Sequence, residues 1–340
     1  MTDDSLQSTA RALVAKGKGI LAADESFPTI EKRFKKIDIP STEDNRRAYR
    51  EMLFTTGGLG DFVSGVILFD ETIRQQASTG TPFATLLAGA GIIPGIKVDK
   101  GAKALAGHSG EKITEGLDGL RDRLTEYRDL GARFTKWRAV ITIGDGLPSR
   151  YCIDANAHAL ARYAALSQEA GLVPIVEPEV LMDGSHTIEQ CEHVTSDALA
   201  ALFFQLHKHG VVLEGTLLKP NMVVAGKDCA TQADVEDVAR ATVRTLRRRV
   251  PAAVPGIVFL SGGQSAQEAT AHLNAMNALG THPWELSFSY GRALQDPALN
   301  AWGGKSDNVT AAQKVFHHRA KCNGAARFGK YTPQMELTAA

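Results

Sequence analysis

Short apolar runs alternate with amphipathic segments along the whole chain of 340 residues. Eight of these runs have the length of a strand and are rich in β-branched or bulky aliphatic side chains, which is typical of buried β-strands. Strand and helix signals alternate to the end of the chain. The predicted strands cover residues 19–23, 63–69, 95–98, 134–141, 173–180, 213–219, 257–261 and 285–290.

Helical periodicity is clear in several of the segments between these strands. Apolar residues recur in steps of three and four over residues 113–127, which predicts one helix. A second helix face is predicted at residues 199–206, after the capping cluster at 195–197. A third is predicted at residues 235–246, followed by three arginines and then Pro251 as a stop.

Eight strands alternating with helices at this chain length predict an α/β fold, a single (β/α)₈ TIM barrel that spans residues 1–340 as one domain. Residues 1–17 and about 308–340 are expected to be an N-terminal helical extension and a C-terminal helix with its tail. The rival architecture is a doubly wound open sheet, which usually carries a glycine-rich dinucleotide loop after its first strand. The sequence has no GxGxxG motif and no complete GxxxxGK[ST] phosphate loop, so the barrel is favoured.

The balance of charges limits the kinds of molecule that the protein is expected to bind. The chain carries 38 basic and 38 acidic residues, and its longest basic run is the three arginines at 247–249. This balance argues against nucleic acid or an anionic membrane and favours a small-molecule partner. The start of the chain is acidic and 18 apolar residues never run together, so neither a secretory signal nor a membrane span is predicted. We expect a cytoplasmic protein.

The cysteines and histidines do not predict a metal site. The four cysteines lie far apart without a CxxC pair, which favours reduced thiols over disulfides or zinc. Two histidine pairs have spacings that do not place both rings on one helix face; they are His207 with His209, and His317 with His318. We therefore expect neither a metal ion nor another cofactor.

Lys219 is the first candidate for chemistry, because it ends an apolar predicted strand and is followed by Pro220. Proline cannot donate to a continuing strand ladder, so the strand should end on the lysine. An amine at the edge of an apolar core, near other cations, is expected to have a pKa below the usual ~10.4 and to attack carbonyl groups. The alternative for this segment alone is a strand-end lysine that reaches solvent.

Charged residues also end or occupy other predicted strands, where barrels of this class gather their functional groups. Side chains alternate across a strand, so Lys136 and Arg138 face one way, as do Glu177 and Glu179 on the next strand. Each pair alone could be a structural salt bridge. Charged residues recur in this way in five of the eight predicted strands. Packing does not explain this recurrence, because charged residues rarely lie in a core without partners. The other strands contribute Asp24 and Glu25, Lys97 and Asp99, and Lys219.

Two small-residue turns after the last two strands are predicted to bind phosphate. Ser261, Gly262 and Gly263 lead from a strand into a helix, so backbone N–H groups there can approach an anion closely. After the last strand, Gly291 lies beside Arg292, whose guanidinium suits a bidentate phosphate contact. These loops are common phosphate sites in barrels, although a plain turn would explain either glycine motif by itself.

Seven segments together resemble the class I fructose-bisphosphate aldolases, and they occur in that family's order. The resemblance covers about residues 17–331, and several blocks of this length are highly specific. The segments are GKGILAADES (17–26), GIKVDKG (95–101), FTKWR (134–138), VPIVEPEV (173–180), LEGTLLKPNM (213–222), FLSGGQS (259–265) and FSYGRAL (288–294).

The resemblance implies a metal-independent lyase of glycolysis and gluconeogenesis that cleaves fructose 1,6-bisphosphate reversibly to dihydroxyacetone phosphate and glyceraldehyde 3-phosphate. It implies that Lys219 forms a Schiff base, that Glu177 is the acid/base for its formation, and that Asp24 handles the proton of the C4 hydroxyl. Lys136 and Glu179 match the electrostatic partners of these groups. The resemblance assigns substrate or phosphate binding to Thr29, Arg33, Lys97, Arg138, Ser261, Gly262, Gly263, Ser289, Gly291 and Arg292.

The segment after LAADES departs from the family pattern. The family commonly continues with threonine, glycine and a hydroxyl residue, whereas this chain reads Phe27, Pro28 and Thr29. Pro28 removes one backbone donor and is expected to stiffen a loop near a phosphate. Thr29 keeps the hydroxyl.

The C-terminal residues are a second departure. Animal and plant members end in a mobile tail whose terminal tyrosine assists enamine protonation, and residues 334–340 contain no tyrosine. We expect Glu177 to supply that proton. Residues 332–340 contain one acid, Glu336, and are expected to form a poorly ordered end with little chemistry.

Two alternatives remain from the sequence, a non-catalytic phosphosugar-binding barrel and a Schiff-base aldolase for another sugar. Binding alone does not require a buried amine with two acids, which argues against the first. Two phosphate sites favour a bisphosphate, but they do not separate fructose 1,6-bisphosphate from sedoheptulose 1,7-bisphosphate, nor say how well fructose 1-phosphate is used. The family is commonly tetrameric, so a homo-oligomer, and by resemblance a homotetramer, is expected.

Overall fold

Eight parallel strands close into a barrel in the computed structural model, which describes residues 3–338. Each strand pairs with its neighbours in the chain, and the last pairs with the first, with Ile20 opposite Ser289. The predicted (β/α)₈ architecture is therefore confirmed. The strands are β1 (Gly19–Ala23), β2 (Val63–Leu68), β3 (Ile93–Lys97), β4 (Phe134–Ile141), β5 (Val173–Val180), β6 (Leu217–Leu218), β7 (Gly256–Phe259) and β8 (Glu285–Tyr290).

Helices surround the barrel, and a short antiparallel hairpin of Ala102–Ala104 and Lys112–Thr114 follows β3. Within residues 3–338 we find no helix long and apolar enough to cross a membrane. The helices are α1 (Asp3–Leu13), α2 (Phe27–Lys35), α3 (Glu43–Phe54), α4 (Asp70–Arg74), α5 (Phe83–Gly89), α6 (Leu120–Asp129), α7 (Arg150–Glu169), α8 (Ile188–Lys208), α9 (Val235–Arg249), α10 (Ala266–Ala278), α11 (Arg292–Trp302) and α12 (Val309–Ala326). Short 3₁₀ segments cover Leu59–Asp61, Leu213–Gly215, Ser306–Asn308 and Pro333–Thr338.

The strand before Lys219 is shorter than predicted. β6 contains two residues, and Leu213–Gly215 forms a 3₁₀ turn instead of extended backbone. The side-chain amide of Gln168 holds this turn by bonding to backbone N–H and carbonyl groups of the segment, and Leu6 of α1 packs against it. These tertiary contacts override the β-propensity of the run. The other predicted strand boundaries agree with the structure to within two residues.

Two predicted helix starts are wrong. α6 begins at Leu120, because Lys112–Thr114 is paired in the hairpin and is not helical. α8 begins after Thr187, whose side chain forms a capping box with Gln190. A capping box satisfies backbone N–H groups that lack an intrahelical partner, so it fixes the helix start there. Thr195 and its polar neighbours, predicted to cap the helix, lie inside it.

The N-terminal helix closes the end of the barrel where the strands begin. Leu13 and Val14, at the end of α1, are buried in one apolar cluster with Phe134 and other inward-facing strand residues. Two glycines make room for them, since a Cβ on Gly65 would lie 2.6 Å from Leu13 and one on Gly256 would lie 2.5 Å from Val14. This end of the barrel is therefore filled by aliphatic packing.

The C-terminal residues are more structured than predicted. Pro333–Thr338 forms a 3₁₀ helix, and Glu336 within it pairs with the buried Arg319 of α12. The hydroxyl of Tyr331 also donates to Glu336, at 2.8 Å. Breaking a buried ion pair is costly, so this pairing anchors the segment on α12. The expectation of a poorly ordered end is wrong for residues 332–338, and residues 339 and 340 lie outside the described part of the chain.

Candidate active site

An open pocket of about 590 Å³ lies at the carboxyl ends of the barrel strands, where the loops after the strands meet. Of the fifteen residues predicted for the site, all but Gly263 line this pocket, and Gly263 lies at its border beside Arg292. The lining residues among the fifteen are Asp24, Thr29, Arg33, Lys97, Lys136, Arg138, Glu177, Glu179, Lys219, Ser261, Gly262, Ser289, Gly291 and Arg292.

Four charged groups form a continuous chain at the floor of the pocket. Nζ of Lys219 lies 3.3 Å from Oε1 of Glu177, and Oε2 of Glu177 lies 3.3 Å from Nζ of Lys136. Nζ of Lys136 lies 2.7 Å from Oδ2 of Asp24. No more than 13% of any of these side chains is exposed. The signs alternate along the chain, so every buried charge has a counter-charge, as burial requires.

The four groups are placed by four different parts of the barrel. Asp24 follows β1 directly, Lys136 lies within β4, and Glu177 lies within β5. β4 and β5 run in parallel with Arg138 opposite Glu177. The backbone N–H of Lys219 donates to the carbonyl of β5 residue 176 at 2.9 Å, which fixes the lysine just beyond β6. The sheet register thus brings together residues that are far apart in sequence.

These contacts shift the protonation equilibria of the site. Burial alone would raise the pKa of Asp24, but the charges of Lys136 and Lys219 outweigh it and hold the pKa far below its usual value. Burial would lower the pKa of Lys136, but Asp24 and Glu177 outweigh it and the pKa is raised. Asp24 is therefore a carboxylate and Lys136 an ammonium ion at neutral pH.

A second layer of ion pairs joins β3, β4 and β5 above this floor. Glu179 is paired with Arg138, the side chain predicted to bind substrate. Lys97 lies 2.7 Å from Oδ1 of Asp99, and Oδ2 of Asp99 accepts a hydrogen bond from the backbone N–H of Arg138 at 3.2 Å. Asp99 thus links the ends of two neighbouring strands. Burial would lower the pKa of Arg138, but Glu179 outweighs it and the pKa is raised.

Two buried polar atoms of the pocket have no hydrogen-bond partner among residues 3–338. They are Oε2 of Glu177, whose contact with Lys136 is an ion pair, and Oγ of Ser289. An unsatisfied buried polar group costs about 1–3 kcal/mol, so such atoms are rare without a reason. Both can bond to a polar ligand that enters the pocket.

The turn after β7 has the conformation that its glycines permit. Gly262 and Gly263 have φ angles of 58° and 98°, in the region that side chains other than glycine rarely adopt. A Cβ on Gly263 would lie 3.3 Å from Nζ of Lys227 and 3.4 Å from Nη2 of Arg292. Two cations therefore approach one point beside a turn of small residues, an arrangement that suits an anion.

Arg33 is held at the edge of the pocket by a buried carboxylate. Glu25 pairs with both Arg33 and Arg50 and accepts a hydrogen bond from the Gln295 amide at 2.9 Å. Burial would raise the pKa of Glu25, but the two arginines outweigh it and the pKa is lowered. Nη2 of Arg33 lies 3.6 Å from where a Cβ on Gly291 would be. The Arg33 guanidinium is thus fixed beside the turn after β8.

Residues 27–29, which follow LAADES and differ from the family pattern, begin a helix. We expected a loop at this position. α2 starts at Phe27 with Ser26 as its N-cap and Pro28 in its first turn. The first N–H groups of a helix have no intrahelical acceptor, so a proline there removes no helical hydrogen bond. The Thr29 hydroxyl lies on the pocket, 3.1 Å from the hydroxyl of Ser26.

Comparison with known proteins agrees with this geometry. A family model described as fructose-bisphosphate aldolase class-I matches residues 5–340. The chain is 60% identical over 332 residues to a probable fructose-bisphosphate aldolase class 1 of Xanthomonas campestris pv. campestris, an alignment that covers 97% of this chain and 99% of the relative. The chain belongs to the class I fructose-bisphosphate aldolase family. The resemblance seen in the seven segments is therefore confirmed.

Further relatives of this aldolase carry the same name in distant organisms. It is 57% identical to the fructose-bisphosphate aldolase of Dictyostelium discoideum, over 97% of this chain and 93% of that protein. It is also 57% identical to the protein named fructose-bisphosphate aldolase 4, cytosolic, of Arabidopsis thaliana, over 94% of this chain and 82% of that protein. A solved structure of the Plasmodium falciparum aldolase is 54% identical with a TM-score of 0.96, and the match covers 97% and 95% of the two chains. The activity is that of a metal-independent lyase.

The aldolase site contains charged residues beyond the fifteen that were assigned to it from the sequence. Glu25, Lys32, Lys36 and Asp99 line the pocket, and Lys227 lies beside the β7 turn. Lys32 in α2 and Lys36 directly after it had a sequence signal, because residues four apart share one side of a helix. Lys227 had none, since it lies in an irregular loop. Altogether eight cations and five carboxylates line the pocket, so its net charge is positive and suits phosphate esters.

Proposed function

We propose that this aldolase cleaves fructose 1,6-bisphosphate with Lys219 as the imine-forming amine, Glu177 as its proton partner and Asp24 as the base at the C4 hydroxyl. The observation that carries the proposal is the position of Glu177, whose two oxygens each lie 3.3 Å from a lysine Nζ. A carboxylate in this position can accept the proton that Lys219 must lose before it attacks a carbonyl carbon.

Imine formation needs one acid and one base, and Glu177 serves as both in turn. The neutral amine of Lys219 attacks C2 of the substrate and forms a carbinolamine. Glu177 then returns its proton to the departing C2 hydroxyl, which leaves as water. The protonated imine is a better electron sink than the original ketone, so the next bond can break at C3–C4.

Cleavage begins when Asp24 takes the proton of the C4 hydroxyl. The oxygen's electron pair forms the aldehyde, and the electrons of the C3–C4 bond move into the imine to give an enamine. Asp24 is a weak base while Lys136 holds it at 2.7 Å. Lys136 also lies 3.3 Å from Glu177, so a shift of the ammonium group toward Glu177 makes Asp24 more basic.

The enamine must be protonated at C3 before the second product can leave. Asp24 holds the proton from the C4 hydroxyl, and Lys136, which lies 2.7 Å from Asp24 and 3.3 Å from Glu177, can take up that proton as it gives one of its own to Glu177. Glu177 then protonates C3, and hydrolysis of the resulting imine releases dihydroxyacetone phosphate and restores the Lys219 amine. The buried Oε2 of Glu177, which has no hydrogen-bond partner in the part of the chain that the structure describes, supports this repeated role.

The excess of cations in the pocket supports a bisphosphate as substrate. We place one phosphate at the β7 and β8 turns, beside Arg292 and the hydroxyl of Ser289, which has no hydrogen-bond partner among the described residues. The other faces the cations that α2 presents to the pocket, Lys32 and Lys36. Contacts at both phosphates of the substrate hold its C3–C4 bond over the four charged groups at the pocket floor. Binding energy is thereby used to orient the bond that breaks.

Borohydride trapping tests the nucleophile directly. Reduction in the presence of dihydroxyacetone phosphate should inactivate the enzyme and add the reduced triose phosphate to Lys219, as peptide mapping by mass spectrometry will show. EDTA should leave the cleavage rate unchanged. The adduct on any other lysine would contradict the assignment, and so would a loss of activity with EDTA.

Glu177→Gln separates proton transfer at the imine from substrate binding. The amide keeps the size of the side chain but cannot accept the proton of Lys219, so the rate of trapping should fall by about 10²-fold or more. Glu179→Gln is the matched control on the same strand, because Glu179 contacts Arg138 and not Lys219. Equal trapping rates for the two variants would remove Glu177 from the mechanism.

We also propose that residues 1–340 form one domain and that the protein is a cytoplasmic homotetramer. The family resemblance supports the tetramer, and the name of the cytosolic Arabidopsis relative supports the location. Exposed aromatic side chains such as Tyr151 and Phe204 offer apolar area for contact between subunits. Light scattering after size exclusion should give the mass of four chains, and a stable monomer would contradict the tetramer.

A further inference from the structure

A histidine, a cysteine and a glutamate meet on α12, outside the residues that line the substrate pocket. His318 and Cys322 lie four residues apart on one face of the helix, with Nε2 of His318 3.5 Å from Sγ of Cys322. Glu336 reaches them from the C-terminal 3₁₀ helix. One ligand atom from each of the three side chains lies within 4.8 Å of the others.

The spacing of the histidine nitrogen and the cysteine sulfur fits a tetrahedral metal ion, and the carboxylate oxygen lies within 4.8 Å of both. Zinc binds histidine nitrogen at about 2.0 Å and cysteine sulfur at about 2.3 Å, so tetrahedral geometry separates the two atoms by about 3.5 Å. The separation of Nε2 and Sγ is 3.5 Å. We propose that His318, Cys322 and Glu336 form a binding site for a thiophilic divalent cation of the Zn²⁺ class, with water as the fourth ligand.

Glu336 retains a free lone pair for the cation. A carboxylate has about four lone-pair positions. Among residues 3–338, one Arg319 nitrogen donates to both oxygens and the Tyr331 hydroxyl donates to Oε1, so these contacts leave one position on Oε2 open. These donors also orient the carboxylate, as hydrogen bonds to metal-ligating groups usually do.

Binding exchanges a proton for the ion. The thiol of Cys322 loses its proton to solvent, and its sulfur forms a bond to Zn²⁺ as a thiolate. The thiolate and Glu336 then face the charges of Zn²⁺ and Arg319, which leaves one net positive charge on the cluster. Without the ion, the contact between His318 and Cys322 is a thiol–imidazole hydrogen bond at the same distance.

The ion would join two parts of the chain that now share one ion pair. His318 and Cys322 belong to α12, whereas Glu336 belongs to the C-terminal segment. Arg319 extends the connection, since its Nη2 donates to Thr270 at 2.6 Å within α10. α10 follows the β7 turn directly. The site is therefore structural, and it takes no part in the cleavage reaction.

Cobalt(II) is the probe, because a Co²⁺–thiolate bond gives a charge-transfer band in the near ultraviolet. Titration of the full-length enzyme with Co²⁺ should produce this band with one ion per chain and release one proton per ion. Zn²⁺ should displace Co²⁺ and abolish the band. Cys322→Ala should show no band, whereas Cys229→Ala, which removes the least buried thiol, should behave as the natural protein.

Histidine variants provide a second matched pair that leaves the buried thiol intact. His318→Asn should weaken Co²⁺ binding at least tenfold, while His317→Asn, one residue away and in contact with Phe62, should not change it. Cleavage activity of each variant shows that it is folded. No thiolate band in the natural protein, a band that survives Cys322→Ala, or equal effects of the two histidine variants would overturn the proposal.

Discussion

Side chains at both ends of the barrel are buried, but apolar packing holds them together at one end and charge pairing at the other. At the end where the strands begin, α1 packs aliphatic side chains such as Leu13 against inward-facing strand residues. At the other end, Asp24, Lys136, Glu177 and Lys219 are joined by charge. Apolar packing has no direction and scales with area, whereas each charge at the other end depends on one particular neighbour.

Stability and chemistry should therefore respond separately to changes at the two ends of the barrel. An aliphatic side chain at the closed end can be shortened with a loss of stability and little change at the pocket floor, which lies beyond it in the barrel. Replacing one of the four charged groups at the pocket floor, by contrast, alters the protonation equilibrium of the group that it contacts.

Lys219→Arg should have the largest effect on activity. The guanidinium keeps the positive charge beside Glu177 but cannot form an imine, so the electron sink is lost. We expect kcat to fall by at least about 10⁴-fold, more than ~5 kcal/mol of barrier. Circular dichroism and the urea midpoint should stay close to those of the natural protein. Measurable Schiff-base trapping in this variant would show that another amine can act.

Asp24→Asn should slow cleavage without preventing imine formation. The amide oxygen can still accept a hydrogen bond from Lys136, but it cannot take the C4 proton. Loss of a general base typically costs about 10²- to 10⁴-fold in kcat. Borohydride should still trap dihydroxyacetone phosphate on Lys219. If cleavage by the variant is as fast as that of the natural enzyme, Asp24 only balances the charge of Lys136.

Leu13→Ala should affect stability and leave chemistry nearly unchanged. Leu13 is fully buried in the cluster at the closed end, and truncation of a buried leucine costs about 2.7–5 kcal/mol of unfolding free energy. Urea unfolding measures this loss, and kcat at 25 °C should stay within about twofold. Arg11→Ala on the exposed side of α1 is the control, with an expected change below about 0.5 kcal/mol. A large fall in kcat would show that the two ends are coupled.

His272 lies beside the charged end but should behave as a stability element. Burial lowers its pKa to about 4, against ~6.5 in an unfolded chain, although nearby Glu268 raises it slightly. As pH falls from about 7.5 to about 5, the unfolded chain gains a proton that the native state does not, so the unfolding free energy falls by about 2 kcal/mol. The group contributes no further loss below about pH 4, where both states are protonated.

His272→Asn should remove the share of His272 in this pH dependence, because asparagine does not titrate and its amide can still reach Gln264, which His272 contacts at 2.5 Å. Other histidines whose pKa is lowered by burial, such as His186 and His282, keep their own shares in both proteins. The measurement is the urea-unfolding free energy of both proteins at the two pH values. Carboxylates with lowered pKa, such as Glu25, lose their stabilising effect only below about pH 4.5, outside this interval. Parallel pH profiles for the two proteins would contradict the role of His272.

Lys227→Ala should have the smallest effect and act on binding alone. Lys227 and Arg292 approach the same point beside Gly263, so removal of one cation should raise KM for fructose 1,6-bisphosphate about three- to tenfold with kcat unchanged. Asp183→Asn is the control, because it removes the carboxylate that forms an ion pair with Lys227 at 3.0 Å and leaves the lysine in place. This variant frees the lysine for phosphate and should not raise KM.

The order of elements was predictable from local pattern. Runs such as 134–141 and 173–180 were predicted to the residue, because their length and β-branched content are properties of the segment itself. Boundaries that depend on partners were missed. Leu213–Gly215 turns because Gln168 binds its backbone, and Lys112–Thr114 is a strand because a hairpin partner exists.

For the site, local sequence patterns were sufficient to predict which strand ends carry charged side chains, and therefore which residues meet at the pocket. Period-two alternation and the gathering of strand ends at one face of a barrel are enough for that step. Which charged groups contact one another depends on how the strands and loops pack in the folded barrel. Glu179 contacts Arg138 and not a lysine, and Lys227 reaches the β7 turn from a loop without periodicity.

The same limit explains the cluster on α12. Adjacent histidines attracted attention in the sequence, whereas the relevant pair is His318 and Cys322, and Glu336 joins them only because the C-terminal segment folds back. Periodicity along one element is a local property that a sequence carries. The distance between atoms of different elements depends on how those elements pack, so it was fixed only in the folded chain.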